Sequence, residues 1–390
     1  MSFDKAIRFA QDLIRIPSPP GGEGDVAGRV MQEMHALGFA DVRIDAVGNV
    51  IGIVPGRGGR PPVMLCSHLD VVDIGDPHSW EFNPFGGEIV NGFLHGRGAM
   101  DIKGPLAIQT YAAAAFLHEP IENDIIVCHT VHEERGGWGM EHYLSSGEAR
   151  PGAVIIGEAT HGDICIGHRG RAELVVEIQG LAGHASAPDR ARNPVAVLPL
   201  VIPAVEKFAA SLLSNPVLGK STLAPTAIET LPRSRNVIPD RVRIILDWRV
   251  LPDVTAESAV DSLRAAIKAV QLPDGFDVDV RYSFEHQHTY TGQERERRMF
   301  TPGFLLDPEH PIVTAAADAV ADAFGKRPAV RPWTFATDGG HACGVHHIPT
   351  IGFAPGEERY AHTNRERLNL EEARKCFEAY PAVIRAVAAA

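Results

Sequence analysis

Apolar residues follow two textures along this chain. In the first they form short unbroken runs, at 63–66, 125–131 and 153–156. Such runs have the length of strands and no polar face, so they predict strands covered on both sides, as in the middle of a mixed or parallel sheet. Helical spacings lie around them. Residues 1–16 put Phe3, Ile7, Ala10, Leu13 and Ile14 on one face, and Val26, Val30, Met34 and Leu37 do the same before Gly38 stops the helix. Residues 102–117 are alanine-rich and helical, with Pro105 tolerated in the first turn. Strands at 42–45, 49–54 and 349–353 and helices at 311–324 and 370–388 complete this part. The second texture begins after Gly170. Apolar and polar residues alternate over 171–179, 241–250 and 276–284, the mark of a sheet with one wet face. Helical stretches at 193–213 and 256–270 intervene. The expected architecture is α/β: a main domain with a mixed sheet and helices on both faces, in two parts (1–170 and 289–390), and an inserted α+β domain on an antiparallel four-stranded sheet (171–288).

The unbroken runs each end on polar groups. The first runs into His68 and Asp70, which share a face because side chains alternate along a strand. An imidazole with a carboxylate against its second nitrogen is a metal ligand with its orienting partner. A polar pair capping a strand end is the plainer explanation. The second run ends in His132-Glu133-Glu134, where adjacent acids repel unless a cation is near; a solvated loop explains them as well. The third ends in Gly157-Glu158. Asp101 stands where a loop enters a helix, a common place for a capping aspartate. In open α/β sheets the carboxyl ends of strands gather ligands, so these groups would meet in one crevice.

Composition narrows the classes of function. Lysine plus arginine number 37 against 49 acids, and the net charge of −12 argues against nucleic-acid or anionic-membrane binding. The five cysteines are scattered without a C-x-x-C spacing and read as reduced, mostly buried thiols. The first 16 residues are amphipathic and do not resemble a signal peptide, and no run approaches the length of a membrane span. The expectation is a soluble, cytoplasmic protein.

Gathered at one point, His68, Asp101, Glu134, Glu158 and His362 would exceed one tetrahedral zinc. They suit two cations about 3.5–4 Å apart, bridged by one carboxylate and a water. Glu133, beside Glu134, would then take the water's proton. Position alone does not select these histidines among 18, since His129, His132, His341, His346 and His347 also lie near element ends.

The motifs Ser67-His68-Leu69-Asp70, Gly96-Arg97-Gly98-Ala99-Met100-Asp101-Ile102-Lys103-Gly104, Glu133-Glu134, Gly157-Glu158-Ala159-Thr160, Gly183-His184-Ala185-Ser186, Asn236-Val237-Ile238-Pro239 and Ala361-His362-Thr363 occur in that order. The series resembles the dinuclear zinc metallopeptidases that include acetylornithine deacetylase, succinyl-diaminopimelate desuccinylase, aminoacylase and carboxypeptidase G. The resemblance implies a zinc-exopeptidase catalytic domain with an inserted lid and dimerisation domain. It implies two divalent metals, zinc first and cobalt or manganese as alternatives. His68 and Glu158 would hold one, Glu134 and His362 the other, with Asp101 bridging. Asp70 would orient His68, Glu133 would be general base and later acid, and the Asp101–Ile102 peptide would be cis. His184 would reach the oxyanion from a partner subunit's lid. Asn236, Arg249 and the backbone at Gly356 would hold the substrate's carboxylate or carbonyl.

The activity so implied is deacylation of an N-acyl amino acid, acetylornithine-deacetylase-like first, with desuccinylase, dipeptidase or carboxypeptidase action as alternatives. The substrate would be an N-acyl amino acid or short peptide, and the partner a second copy of the chain. A non-catalytic binding subunit would require loss of Glu133 or a ligand, and all six positions are filled. Three places depart from the family pattern: His132 replaces a usual Asp or Thr, Arg135-Gly136-Gly137-Trp138 replaces a small acidic turn, and Asn364-Arg365 stands before Glu366.

Overall fold

The computed structural model describes residues 2–148 and 150–390. The chain divides into two compact units. The first comprises the chain up to His168, Gln287–Arg295 and Phe304–Ala390; the second comprises Arg169–His286 and Glu296–Gly303.

The first unit is built on an eight-stranded mixed sheet. Its order is Ala40–Ile44, Val50–Val54, Asn123–Thr130, Arg60–His68, Ala153–Ile156, Thr350–Gly352, Ile164–Cys165 and Val330–Arg331. Arg60–His68 is parallel to both of its neighbours, and Ala153–Ile156 is parallel to Thr350–Gly352. Four strands therefore point the same way and deliver their carboxyl ends to one edge. Residues 63–68 are buried throughout, as their unbroken apolar run predicts. Every residue of helix Lys103–Ala114 is buried, so this helix has core on all sides. Leu370–Ala389 adds Tyr380, Val383 and Ile384 to the same core. Burying an aliphatic or aromatic side chain contributes about 1.5–3 kcal/mol, and an unpaired polar group costs about 1–3 kcal/mol. Polar side chains are thus driven to the strand ends or into pairs, such as Ser67 donating to Gln109 at 2.8 Å.

The second unit carries the antiparallel path Thr222–Leu231, Arg241–Val250, Gly170–Gln179 and Asp277–Tyr282, with short Phe300–Thr301 added beside Gly170–Gln179. Alternation holds residue by residue over Arg241–Val250, where Val242, Ile244, Leu246, Trp248 and Val250 are buried. They pack with Val201 and Val205 of helix Leu198–Ser211 and with Ala259, Leu263 and Ile267 of helix Ala256–Lys268. A capping box at Thr255 and Ser258 starts the latter.

Two expectations about elements are corrected. The strand expected over 276–284 stops at Tyr282, and a new one, Phe284–His288, pairs with Glu294–Arg298. The helical stretch Pro194–Ser211 has the 18-residue length and apolar composition of a membrane span, although no such run was expected. Here its Val201 and Val205 cover the second sheet. The five cysteines are free, and four are buried.

Candidate metal centre

The carboxyl ends of the parallel strands bring His68, the 132–134 turn and Glu158 side by side, because His68 registers with Thr130 and Cys66 with Ile156. Asp101 arrives on the loop before helix Lys103–Ala114, across a cis peptide to Ile102, and His362 arrives from beyond Thr350–Gly352 with φ of 59°. His68 Nε2 faces Asp101 Oδ1 and Glu158 Oε1, each at 3.3 Å. His362 Nε2 faces the other Asp101 oxygen at 3.2 Å and Glu134 Oε1 at 3.1 Å. The two oxygens of Asp101 thus look toward different histidines, and one carboxylate joins two half-sites. Single donor atoms of His68, Asp101 and Glu134, and likewise of His68, Glu133 and Glu158, lie within 4.8 Å of one another.

This donor set fits divalent cations. His68 Nε2 is buried and makes no hydrogen bond. Four carboxylates crowd two imidazoles, which leaves a buried excess of negative charge unless cations balance it. The protonation tendencies carry the same strain. Burial, and then the neighbouring Asp101, push the Glu158 carboxyl up to about 7. Glu133 is driven well above the usual carboxylate range, mainly by burial, with Glu158, Asp338 and Glu134 adding to it. Hydrogen bonding to Asp101 and Glu134 pushes His362 up to about 10. Burial lowers His68, but Asp101 and Glu158 outweigh it and hold the imidazole well above its ordinary value. Asp101 shifts the other way from Glu133 and Glu158: both histidines overcome its burial and hold it below the usual range.

Asp70 behaves differently from expectation. Its backbone carbonyl, not its carboxylate, receives His68 Nδ1–H at 2.8 Å; Oδ1 stands 3.6 Å away. The carboxylate accepts the backbone N–H groups of Glu133 at 3.1 Å and Glu134 at 3.0 Å. One residue therefore fixes the tautomer of His68 and also holds the turn that carries both glutamates. The N–H of Gly356 is likewise committed, donating to Glu372 Oε1 at 2.6 Å, so the cradle expected there already contains a carboxylate of the protein itself. Gly356 packs against Met100 and Ala159, the chain neighbours of Asp101 and Glu158, and no Cβ fits there.

His184, Asn236 and Arg249 belong to the second unit. His184 pairs with Val237, and the N–H of Ala185 donates to Asn236 O at 3.2 Å, so the first two lie together. Arg249 lies near the far end of Arg241–Val250, roughly 25 Å along the strand from its start at about 3.3 Å per residue. It registers with Arg171 and is paired with Asp247 at 2.8 Å.

Two of the histidines that position alone left open are engaged elsewhere. His129 bonds to Thr110 at 2.9 Å inside the core, and burial drives its pKa down to about 3. His341 bonds to Gly136 O at 3.0 Å. Glu366 is a residue the motifs did not mark. Its Oε1 accepts the N–H groups of Met100 at 3.1 Å and Asp101 at 3.0 Å, while Oε2 meets Arg97 at 2.6 Å. Asp338, fully buried, accepts from Thr130 at 2.7 Å behind the Glu133 turn. The only signal for either was an acid beside a glycine- or histidine-bearing loop.

The chain is similar to known proteins in sequence and in fold. The chain is 32% identical over 379 residues to the uncharacterised protein YgeY of Escherichia coli, covering 96% of this chain and 93% of that one. It is 29% identical over 398 residues to a succinyl-diaminopimelate desuccinylase of Methylorubrum populi, covering 94% and 96%. Its fold is similar to that of an M20 metallo-carboxypeptidase, Sso-CP2 from Sulfolobus solfataricus, with a TM-score of 0.78 at 16% identity over 99% and 100% of the two chains. The profile of peptidase family M20/M25/M40 matches residues 64–386. The chain belongs to that family and is a metal-dependent hydrolase of amide or peptide bonds.

Proposed function

We propose that the chain hydrolyses the amide of an N-acyl amino acid, with Glu133 as the proton carrier. The observation that supports this most is the pair of half-sites joined by Asp101, with Glu133 one residue from Glu134 and within 4.8 Å of His68 and Glu158. His68 and Glu158 with one oxygen of Asp101, and His362 and Glu134 with the other, would each hold a divalent ion, with zinc the first candidate. Bound there, such ions supply a water of lowered pKa and polarise the scissile carbonyl.

The chain's own residues do the rest. Glu133 accepts the water's proton and returns it to the leaving amine. A carboxyl held well above its usual range suits both directions near neutral pH. Asp70 keeps that carboxyl in place through the backbone of the turn. His184, in this reading, hydrogen-bonds the developing oxyanion from the partner chain of a homodimer, with Asn236 beside it. Arg249 takes the substrate carboxylate once it leaves Asp247. N-acetyl substrates are the first reading. N-succinyl substrates are the second, favoured by the desuccinylase name of a relative that covers 94% of this chain.

A screen of N-acetyl amino acids, N-succinyl amino acids and dipeptides with added zinc, cobalt or manganese tests the substrate. Turnover of dipeptides alone would replace deacylation by peptidase action. If mixed His184→Ala and Glu133→Ala chains recover no activity, the cross-subunit role of His184 is lost.

A further inference from the structure

Between two passages through the second unit, the chain lends nine residues, Gln287–Arg295, to the first unit. This segment sits on the turn that carries Glu133 and Glu134. Gln287 Nε2 donates to Arg135 O at 2.8 Å. His288 O accepts from His132 Nε2 at 2.9 Å. The Arg295 guanidinium lies 4.4 Å from the centre of the Trp138 ring, donates to Gln287 Oε1 at 3.0 Å, and meets Glu141 at 2.7 Å.

The surface beneath is shaped to receive it. A Cβ on Gly21 would come within 2.7 Å of His288 O, and one on Gly48 would strike the Tyr290 ring. Tyr290 donates to Gly48 O and Thr291 to Ala46 O, both at 2.8 Å. Gln287 and Thr289 are 3% exposed.

The residues gripped, His132, Arg135 and Trp138, lie in two of the three places where this chain departs from the pattern it resembles. The backbone of His132 is left-handed, with φ of 55°, a conformation that a residue with a Cβ holds only when its surroundings require it. Glu23 Oε1 accepts its N–H at 3.3 Å, His288 O takes its ring, and Trp138 lies against it with ring centres 5.6 Å apart. Past His132 the chain turns sharply, with Gly137 N–H donating back to His132 O at 2.8 Å.

We propose that Gln287–Arg295 is a positioning clamp for the general base. Gln287 and Arg295 hold the outer side of the turn while Asp70 holds its inner side, and together they fix where the Glu133 carboxyl stands. Gln287 and Arg295 are positioning residues and act through Glu133. The inference rests on the proposed role of Glu133, and its test is built to fail separately.

Gln287→Met keeps the volume and removes the hydrogen bonds to Arg135 O and from Arg295. Arg295→Met removes the ring contact and the ion pair, and Arg295→Lys restores a cation. In the zinc-loaded full chain acting on an N-acetyl amino acid, Gln287→Met and Arg295→Met are expected to lower kcat about 10–100-fold. KM should change by less than about threefold, because misplacing a reacting group by an ångström costs up to about a hundredfold. Arg295→Lys should recover part of the loss. In a Glu133→Gln background the same substitutions should cost almost nothing further, since they act through a group already removed. Unchanged kcat, or a full additional loss in that background, would overturn the clamp. Amide hydrogen exchange supplies a readout free of turnover. The 132–137 stretch should exchange faster in Gln287→Met and Arg295→Met, with the central strands unaltered. Equal exchange there would also overturn the clamp, whereas full activity of Glu133→Gln would instead remove the function on which it rests.

Discussion

The two sheets of this protein use the same charged residue types to opposite ends. On the wet face of the second sheet, acids and bases stand across from one another: Arg171 and Arg249 bracket Asp247 at 2.6 and 2.8 Å, and Arg243 and Arg281 bracket Glu177 at 2.5 and 3.3 Å. Both guanidiniums outweigh the partial burial of Glu177 and hold it below the ordinary carboxylate value. At the edge of the first sheet, Glu158 is buried and Glu133 half-buried among other acids, and both are held above it. One arrangement is electrically complete and serves stability. The other is incomplete until cations enter, and that deficit is what makes it chemical.

The largest test of this contrast is at the base. Glu133→Gln is expected to lower kcat about a thousandfold or more, within the range of general acid–base catalysis, while metal content by atomic absorption stays at two equivalents per chain. Loss of metal with activity would make Glu133 a ligand.

Next comes Asp70, which grips two backbone N–H groups with its carboxylate and His68 with its carbonyl. Asp70→Asn keeps the carbonyl but offers one acceptor oxygen where two are used, and metal affinity is expected to fall about 10–100-fold by competition with a chelator. Undiminished affinity would show that the carbonyl alone suffices.

The third test uses pH. Glu158 titrates at about 7 and His362 at about 10, and both must shed protons to hold a cation. Metal affinity should therefore rise with pH across neutrality, by about tenfold per pH unit for each proton displaced. In the metal-free protein the signs differ. The His362 contribution to stability is present below its unfolded value near 6.5 and is lost as pH rises through about 10. Burial of Glu158 lowers stability as pH rises from about 4.5 to about 7. A flat affinity profile would break the contrast between the sheets.

The smallest effect belongs to the complete arrangement. Glu177→Gln should change unfolding free energy by about 1 kcal/mol or less and leave turnover untouched, as for partly exposed ion pairs. A larger loss would mean that the wet face does more than solvate.

Legibility in the sequence followed burial. Arg241–Val250 and Ala153–Ile156 match their apolar patterns residue for residue because one face, or both, must leave water. Thr222–Leu231 escaped notice because it is an edge strand, mostly exposed, interrupted by Pro225 and a register shift, so no core imposes a period on it. At the site, the side chains that converge around Asp101 were legible through ordered motifs, but their second partners were not. The Asp70 carboxylate reaching Glu133, and Glu366 reaching the N–H of Asp101 from 265 residues away, leave no local trace, since an acid in a loop looks alike whatever it binds.

The linear chain by itself determined the order and type of the long elements, the two textures, the family, and which residues gather at the strand ends. These follow from local periodicity and from short motifs, both properties of neighbours in sequence. Tertiary structure alone decided that the two oxygens of Asp101 face different histidines, that the N–H of Gly356 is taken by Glu372, and that a borrowed segment grips the Glu133 turn. Those depend on which hydrogen-bonding groups meet when distant segments pack. A buried donor or acceptor must find a partner, but its own sequence does not say which.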